Sequence, residues 1–249
     1  MLVFLINALK IIFLLGILIF IHEGGHFIVA KLCKIKVNEF ALGFGPTLIS
    51  TTKGETKYAI HLIPLGGYVN LEGEEERSDV EGSFSNASIP KKIAILLAGG
   101  TVNIVFGVLI YLGLSIYICD NANAIEKIQF AFSNTGDYIV SIFKGLKELF
   151  TGRVGFNQMT GIVGISNMVV KTSGIVNYLY LMGVISLSLG ITNLLPFPPL
   201  DGGKIIIYII EAIRRKPLNE TFETKLQLAG FTLLILLSIY VTYLDILRI

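Results

Sequence analysis

The sequence predicts an α-helical polytopic membrane protein with four transmembrane helices and a small membrane-embedded re-entrant β-sheet. Of its 249 residues 53% are hydrophobic and only 15% are charged, where soluble domains carry about a quarter charged residues. Mean hydropathy is +0.73. Four apolar stretches each approach the roughly 20 residues that a bilayer-crossing helix requires, and one glycine-punctuated region between them reads as strand.

The first span covers about residues 2–30, interrupted by Lys10 and by His22-Glu23-Gly24-Gly25-His26. It has no basic segment before it and no small-residue cleavage site after it, so it reads as a span and not as a signal peptide. From about residue 36 to residue 71 the pattern turns strand-like, through Val37-Asn38-Glu39-Phe40-Ala41-Leu42, Thr47-Leu48-Ile49-Ser50 and Tyr58-Ala59-Ile60-His61-Leu62-Ile63. Lys53-Gly54 is the expected turn, and Gly43, Gly45, Gly66 and Gly67 punctuate the rest. These strands are more apolar than a solvated hairpin needs. Open backbone at membrane depth persists only when buried in protein or lining a wet cavity.

The acidic stretch Glu72 to Glu81 reads as a solvated loop. A second span, about residues 93–118, contains no charge. From about residue 137 to residue 151, Tyr138, Ile139, Ile142, Phe143, Leu146, Leu149 and Phe150 recur at helical spacing with Lys144 and Lys147 between them. That pattern predicts an outer amphipathic helix lying on the membrane or against the bundle. The third span, about residues 178–200, ends among prolines, and the fourth covers about residues 226–244.

Lys31, Lys34 and Lys36, then Lys91 and Lys92, then Arg214, Arg215 and Lys216 fall on one side when four spans are threaded in order. The bias of basic residues toward the cytoplasm puts both termini outside. The expected location is the cell membrane, with the histidine pair near its cytoplasmic side. The net charge of +2 and the lack of a basic cluster interleaved with aromatics argue against a nucleic-acid partner. Cys33 and Cys119 lack the spacing of a disulfide framework or thiolate metal site.

His22, Glu23 and His26 form an H-E-x-x-H motif on a helix. Positions i and i+4 share one helix face, so both imidazoles address the same point and can share one zinc ion. Glu23 leaves the helix at a different angle, where it can take a proton from an activated water and pass it to a leaving amide nitrogen. Ionisable groups inside a transmembrane run are costly and mark function; packing or capping at the helix end is the plainer alternative. A catalytic zinc needs a third protein ligand. Asp201 is favoured, because three prolines just before it must break or unwind the span and could deliver its carboxylate into the bundle. Its alternative role is to N-cap a helix beginning near Lys204. His61 is a lesser candidate, otherwise a polar group of the hairpin, while Glu211 and Asp245 read as interface residues.

With these positions in hand, the chain resembles the site-2 protease family of intramembrane zinc metalloproteases, in its bacterial regulated-proteolysis branch. The resemblance rests on Ile21-His22-Glu23-Gly24-Gly25-His26-Phe27, Leu42-Gly43-Phe44-Gly45-Pro46, Ile63-Pro64-Leu65-Gly66-Gly67-Tyr68-Val69, Ala98-Gly99-Gly100-Thr101-Val102-Asn103 and the stretch from Asn193 to Gly203. It implies Zn2+ as cofactor and Asp201 as third ligand. It also implies that Asn193, Pro196 and Pro198 position substrate, with Gly43, Gly45, Gly66 and Gly67 as bends of a sheet whose edge receives an extended segment. Single-span membrane proteins or peptides, such as anti-sigma factors already trimmed outside or signal-peptide remnants, are the implied substrates. Gly24, Gly100 and Ile162 depart from the residues usual in the family, and the segment between the second and third spans is too short for the PDZ domains of many relatives. A CBS domain is not expected either. Two other classes accommodate the same residues: a divalent-metal transporter, and an inactive homologue that binds membrane helices without cutting them.

Overall fold

The first apolar run folds as one uninterrupted helix, α1 (Leu2–Leu32), straight through the two histidines. Strands β1 (Val37–Lys53) and β2 (Thr56–Leu71) follow, then α2 (Ile89–Ile118), α3 (Ala124–Phe150), α4 (Ile162–Lys171), α5 (Ile175–Asn193), α6 (Asp201–Arg214) and α7 (Glu220–Leu247). This computed structural model describes residues 2–74, 76–118 and 123–248; Cys119 lies outside them. Among the described residues four helices, α1, α2, α5 and α7, are long and apolar enough to cross a membrane. At about 1.5 Å per residue the 19 residues of α5 reach about 28 Å, close to the hydrocarbon thickness. Large apolar side chains such as Phe13 and Leu236 face outward uncovered, which suits lipid and would be a liability in water.

Helix α2 is the hub, packed against α1, α3, α5 and α6. Lipid tails give helices no hydrophobic reason to associate, so close van der Waals contact must hold them, and small residues permit it. A Cβ on Gly25 of α1 would lie 2.7 Å from the Ala98 carbonyl oxygen of α2, and one on Gly190 of α5 would lie 2.6 Å from that of Gly100. Ser186 donates to the Asn103 carbonyl (2.7 Å) within the α2–α5 seam. A side chain at Gly24 would enter open space, whereas one at Gly100 would strike Leu194.

The two long strands each bend and run back. Residues 37–42 lie antiparallel to residues 67–71 (Val37 opposite Leu71, Leu42 opposite Gly67), residues 39–42 also lie beside residues 57–60, and residues 47–53 fold antiparallel onto residues 56–61. Gly43 (φ +85°) and Gly66 (φ +126°) make bends that a Cβ would strain, and Gly54 occupies the expected turn. Around the bends Phe44, Leu48, Ile49, Leu62 and Ile63 are exposed. At the other end the sheet packs on α1, with the Phe40 ring 5.7 Å from Phe20 and 5.2 Å from Phe27.

Several elements differ from expectation. Helix α3 begins at Ala124, 13 positions before residue 137. Ser133-Asn134-Thr135-Gly136 looks like a breaker, but Thr135 donates to Ala131 and Asn134 to Phe130, each one turn back, so the polar groups are satisfied within the helix. Asn123 and Glu126 close its start as a reciprocal cap. The third span ends at Asn193 and not near residue 200, as proline chemistry requires. Helix α4 was not anticipated; Asp245 near the end of α7 accepts the Gly161 and Gly164 amides (2.9 and 2.8 Å) and so caps it from another helix. The acidic loop is not simply solvated. Glu72 accepts from Ser78 and Asn38, bonds that hold its carboxyl below the ordinary range, and Glu74 pairs with Lys204 at 2.7 Å.

Candidate metal centre

One turn of α1 brings His22 and His26 together, each 8% exposed, with their Nε2 atoms 3.2 Å apart. Asp201 reaches them as the first residue of α6, its Oδ2 3.3 Å from either Nε2. Ligands at the corners of a tetrahedron about 2.0 Å from a central ion stand about 3.3 Å from one another. The three atoms therefore have the spacing of three such corners.

The hydrogen-bond partners fit that geometry. His26 Nδ1 donates to the Ile95 carbonyl of α2 (2.8 Å), which leaves Nε2 as a lone pair directed at the triangle. Asp201 Oδ2 is buried with no hydrogen-bond donor among the described residues. A buried carboxylate oxygen facing imidazole lone pairs is costly unless a cation joins them. Two imidazoles and one carboxylate are a donor set suited to a zinc-like divalent ion. Among the described residues these three are the one group of histidine, cysteine and carboxylate atoms close enough to share an ion.

Local sequence explains the convergence. Residues 194–200 are irregular, and Gly202 and Gly203 let the start of α6 fold against them: a Cβ on Gly202 would collide with the Leu194 and Leu195 carbonyls, and one on Gly203 would lie 2.5 Å from Pro198 nitrogen. Leu200 takes the N-cap position without a side-chain bond, so Asp201 is not the cap considered from sequence. Its negative charge sits in the first helical turn, where the helix dipole favours it.

Asn193, the last residue of α5, places Nδ2 3.4 Å from His22 Nε2. Gly67 lies against Glu23: a Cβ there would come 3.2 Å from Glu23 Cγ and 3.0 Å from the Ala41 carbonyl oxygen. Gly43, Gly45 and Gly66 sit at the bends of the sheet. Pro196 is exposed, and the Pro198 carbonyl is turned onto Gly230 of α7. His61 stays in the sheet, 3.3 Å from Thr47 Oγ1 and 3.4 Å from the Tyr68 hydroxyl, outside the ligand triangle. Glu211 accepts the Leu218 amide. A groove of about 550 Å3 runs along residues 68–74, with Phe44 and Glu76 on its walls.

Sequence reasoning missed Gly99 of α2. A Cβ there would collide with His26 Nε2 and come 2.8 Å from His22 Cε1, so glycine at this position forms the floor beneath both imidazoles. Its place in the Ala98–Asn103 motif was visible, but its contact was not.

The sequence profile of peptidase family M50 matches residues 10–237. A Clostridium perfringens protein named as a candidate zinc metalloprotease is 30% identical, over 92% of this chain and 95% of its own. A similarly named Clostridium acetobutylicum protein is 25% identical over 96% and 97%. The zinc metalloprotease RasP of Bacillus licheniformis is 24% identical over 97% and 99%. The RasP alignment spans 414 positions, so that relative carries much sequence with no counterpart in these 249 residues. With most of its length under one family profile, the chain belongs to peptidase family M50.

Proposed function

We propose that the protein is a zinc-dependent intramembrane endopeptidase, cutting peptide bonds in or beside the transmembrane segment of single-span membrane proteins. The observation that carries this is the triangle of His22 Nε2, His26 Nε2 and Asp201 Oδ2, with edges of 3.2–3.3 Å, its two histidine corners lying on α1, a helix apolar enough to span a bilayer. His22, His26 and Asp201 would hold the metal. Zinc bound there supplies a Lewis acid for the scissile carbonyl and makes water acidic enough to attack at neutral pH.

Glu23 accepts a proton from the attacking water as its oxygen bonds to the carbonyl carbon. It then delivers that proton to the amide nitrogen as the C–N bond breaks. Asn193, with Nδ2 3.4 Å from His22 Nε2, orients the substrate carbonyl. A substrate helix must become extended before it can be cut, and pairing with a strand edge replaces the backbone hydrogen bonds it gives up. The segment after Gly66 passes beside Glu23 because Gly67 has no side chain. Gly43, Gly45 and Gly66 shape that platform, while Pro196 and Pro198 keep the opposite wall from winding into helix. Anti-sigma-factor-like proteins or signal-peptide remnants suit this site. The active centre lies toward the cytoplasm, with both termini outside.

The test is cleavage of candidate single-span substrates by purified protein, beside Glu23→Gln and a chelated sample. Cleavage should vanish in both, with zinc content retained in Glu23→Gln. Cleavage that survives both would overturn the proposal, and metal uptake without cleavage of any single-span substrate would favour a transporter or an inactive relative.

A further inference from the structure

A second cavity takes no part in that chemistry. It lies where α1 ends and α2 begins, has a volume of about 690 Å3, and is walled by Lys31, Lys34, Lys36 and Lys91 with Glu55 and Glu81. None of the four lysines has a carboxylate within ion-pair distance among the described residues. Lys91 spends one donor on the Cys33 carbonyl (3.2 Å), and Lys31 stands 6.0 Å over the Phe27 ring. Lys34 is held with φ at +60°, a conformation that a non-glycine residue adopts rarely.

Position narrows the ligand. Lys31 lies in the last turn of α1 and Lys91 in the first turn of α2, both of them apolar spans, so the cavity rim sits where hydrocarbon gives way to water. Lysines that only bias topology can point separately into solvent, but these four surround one concavity from two helix ends and the link between them. Basic pockets at such depth hold anionic lipid headgroups. The two carboxylates on the wall add acceptors for headgroup hydroxyls.

We propose that this cavity binds the phosphodiester headgroup of an anionic phospholipid, its phosphate among Lys34, Lys36 and Lys91 and its hydroxyl donors toward Glu55 and Glu81. The site is independent of the peptidase reading. It bears on the sheet all the same, because Lys36 directly precedes β1 and its amide donates to the Gly82 carbonyl (2.9 Å). A seated headgroup therefore braces the strand that leads toward the metal centre.

The experiment uses the full chain in uncharged detergent, with lipid retention read by native mass spectrometry and unfolding read by melting temperature. Phosphatidylglycerol should be retained and should raise the melting temperature, whereas phosphatidylcholine should do neither. Replacing Lys34, Lys36 and Lys91 by Gln should weaken retention by about fivefold per lysine, and the matching arginine variants should keep it. A variant with Arg214, Arg215 and Lys216 changed to Gln loses as much charge elsewhere and should retain lipid like the parent. Equal loss in that variant would reduce the effect to general charge and overturn the site. Equal protection by inorganic phosphate at the same concentration would overturn the lipid assignment, and unaltered retention in the pocket variant would overturn both.

Discussion

Gly99→Ala isolates the geometry of the metal centre from the identity of its ligands, since no ligand is changed. The added methyl would collide with His26 Nε2 and stand 2.7 Å from His26 Cε1 and 2.8 Å from His22 Cε1. Ordinary carbon contacts begin near 3.5 Å, so the rings or the helix must give by about 0.7 Å or more. His26 has little freedom to do so, because its Nδ1 is bonded to Ile95 on the same face of α2. A shift of that size on ligand edges of 3.2–3.3 Å removes the common focus of the three atoms. Changes in groups that only orient ligands cost about 10–100-fold in metal affinity or activity, and we expect that range here. Helix propensity predicts the opposite sign for stability, since alanine is favoured over glycine by about 1 kcal/mol. Zinc stoichiometry, chelator competition and peptide cleavage measure the first effect, and thermal unfolding measures the second. Gly113→Ala is the control, because its Cβ would meet nothing within 4 Å, and it should bind zinc and cleave normally. A Gly99→Ala protein that does both as well as the parent would refute the role given to this position.

Asp245→Asn should lower stability by about 1–2 kcal/mol, because the carboxylate caps α4 through two amides; zinc content should stay unchanged, and a loss of metal would mean that Asp245 supports the centre. Glu74→Gln should cost about 1 kcal/mol or less by thermal unfolding, as a pair that water still reaches is weakly stabilising. In a cycle with Lys204→Gln, the double variant should recover part of that loss. Additivity would show that the pair contributes nothing.

The spans and the H-E-x-x-H face were legible because each depends on nearby residues alone: apolar length for the former, helical pitch for the latter. Asp201 was legible as a candidate because three prolines announce a broken helix, yet its approach to the histidines depends on Gly202, Gly203 and Gly230 packing on residues 194–200, which is tertiary information. The doubling back of β1 and β2 was half visible. Gly43 and Gly66 marked bends, but a run of strand residues says nothing of which segments become neighbours. Helix α4 and the early start of α3 were hidden for one reason. Polar residues there find partners inside the structure, Asp245 for Gly161 and Ala131 for Thr135, and a sequence pattern counts such residues as loop.

Convergence of Asp201 with the two imidazoles on one ion is tested most directly by zinc-edge X-ray absorption on the parent and on Asp201→Cys. The parent should show only nitrogen and oxygen scatterers at about 2.0–2.2 Å, and the variant should gain a sulfur scatterer at about 2.3 Å. Full zinc occupancy in Asp201→Cys with no sulfur in the first coordination shell would contradict the account.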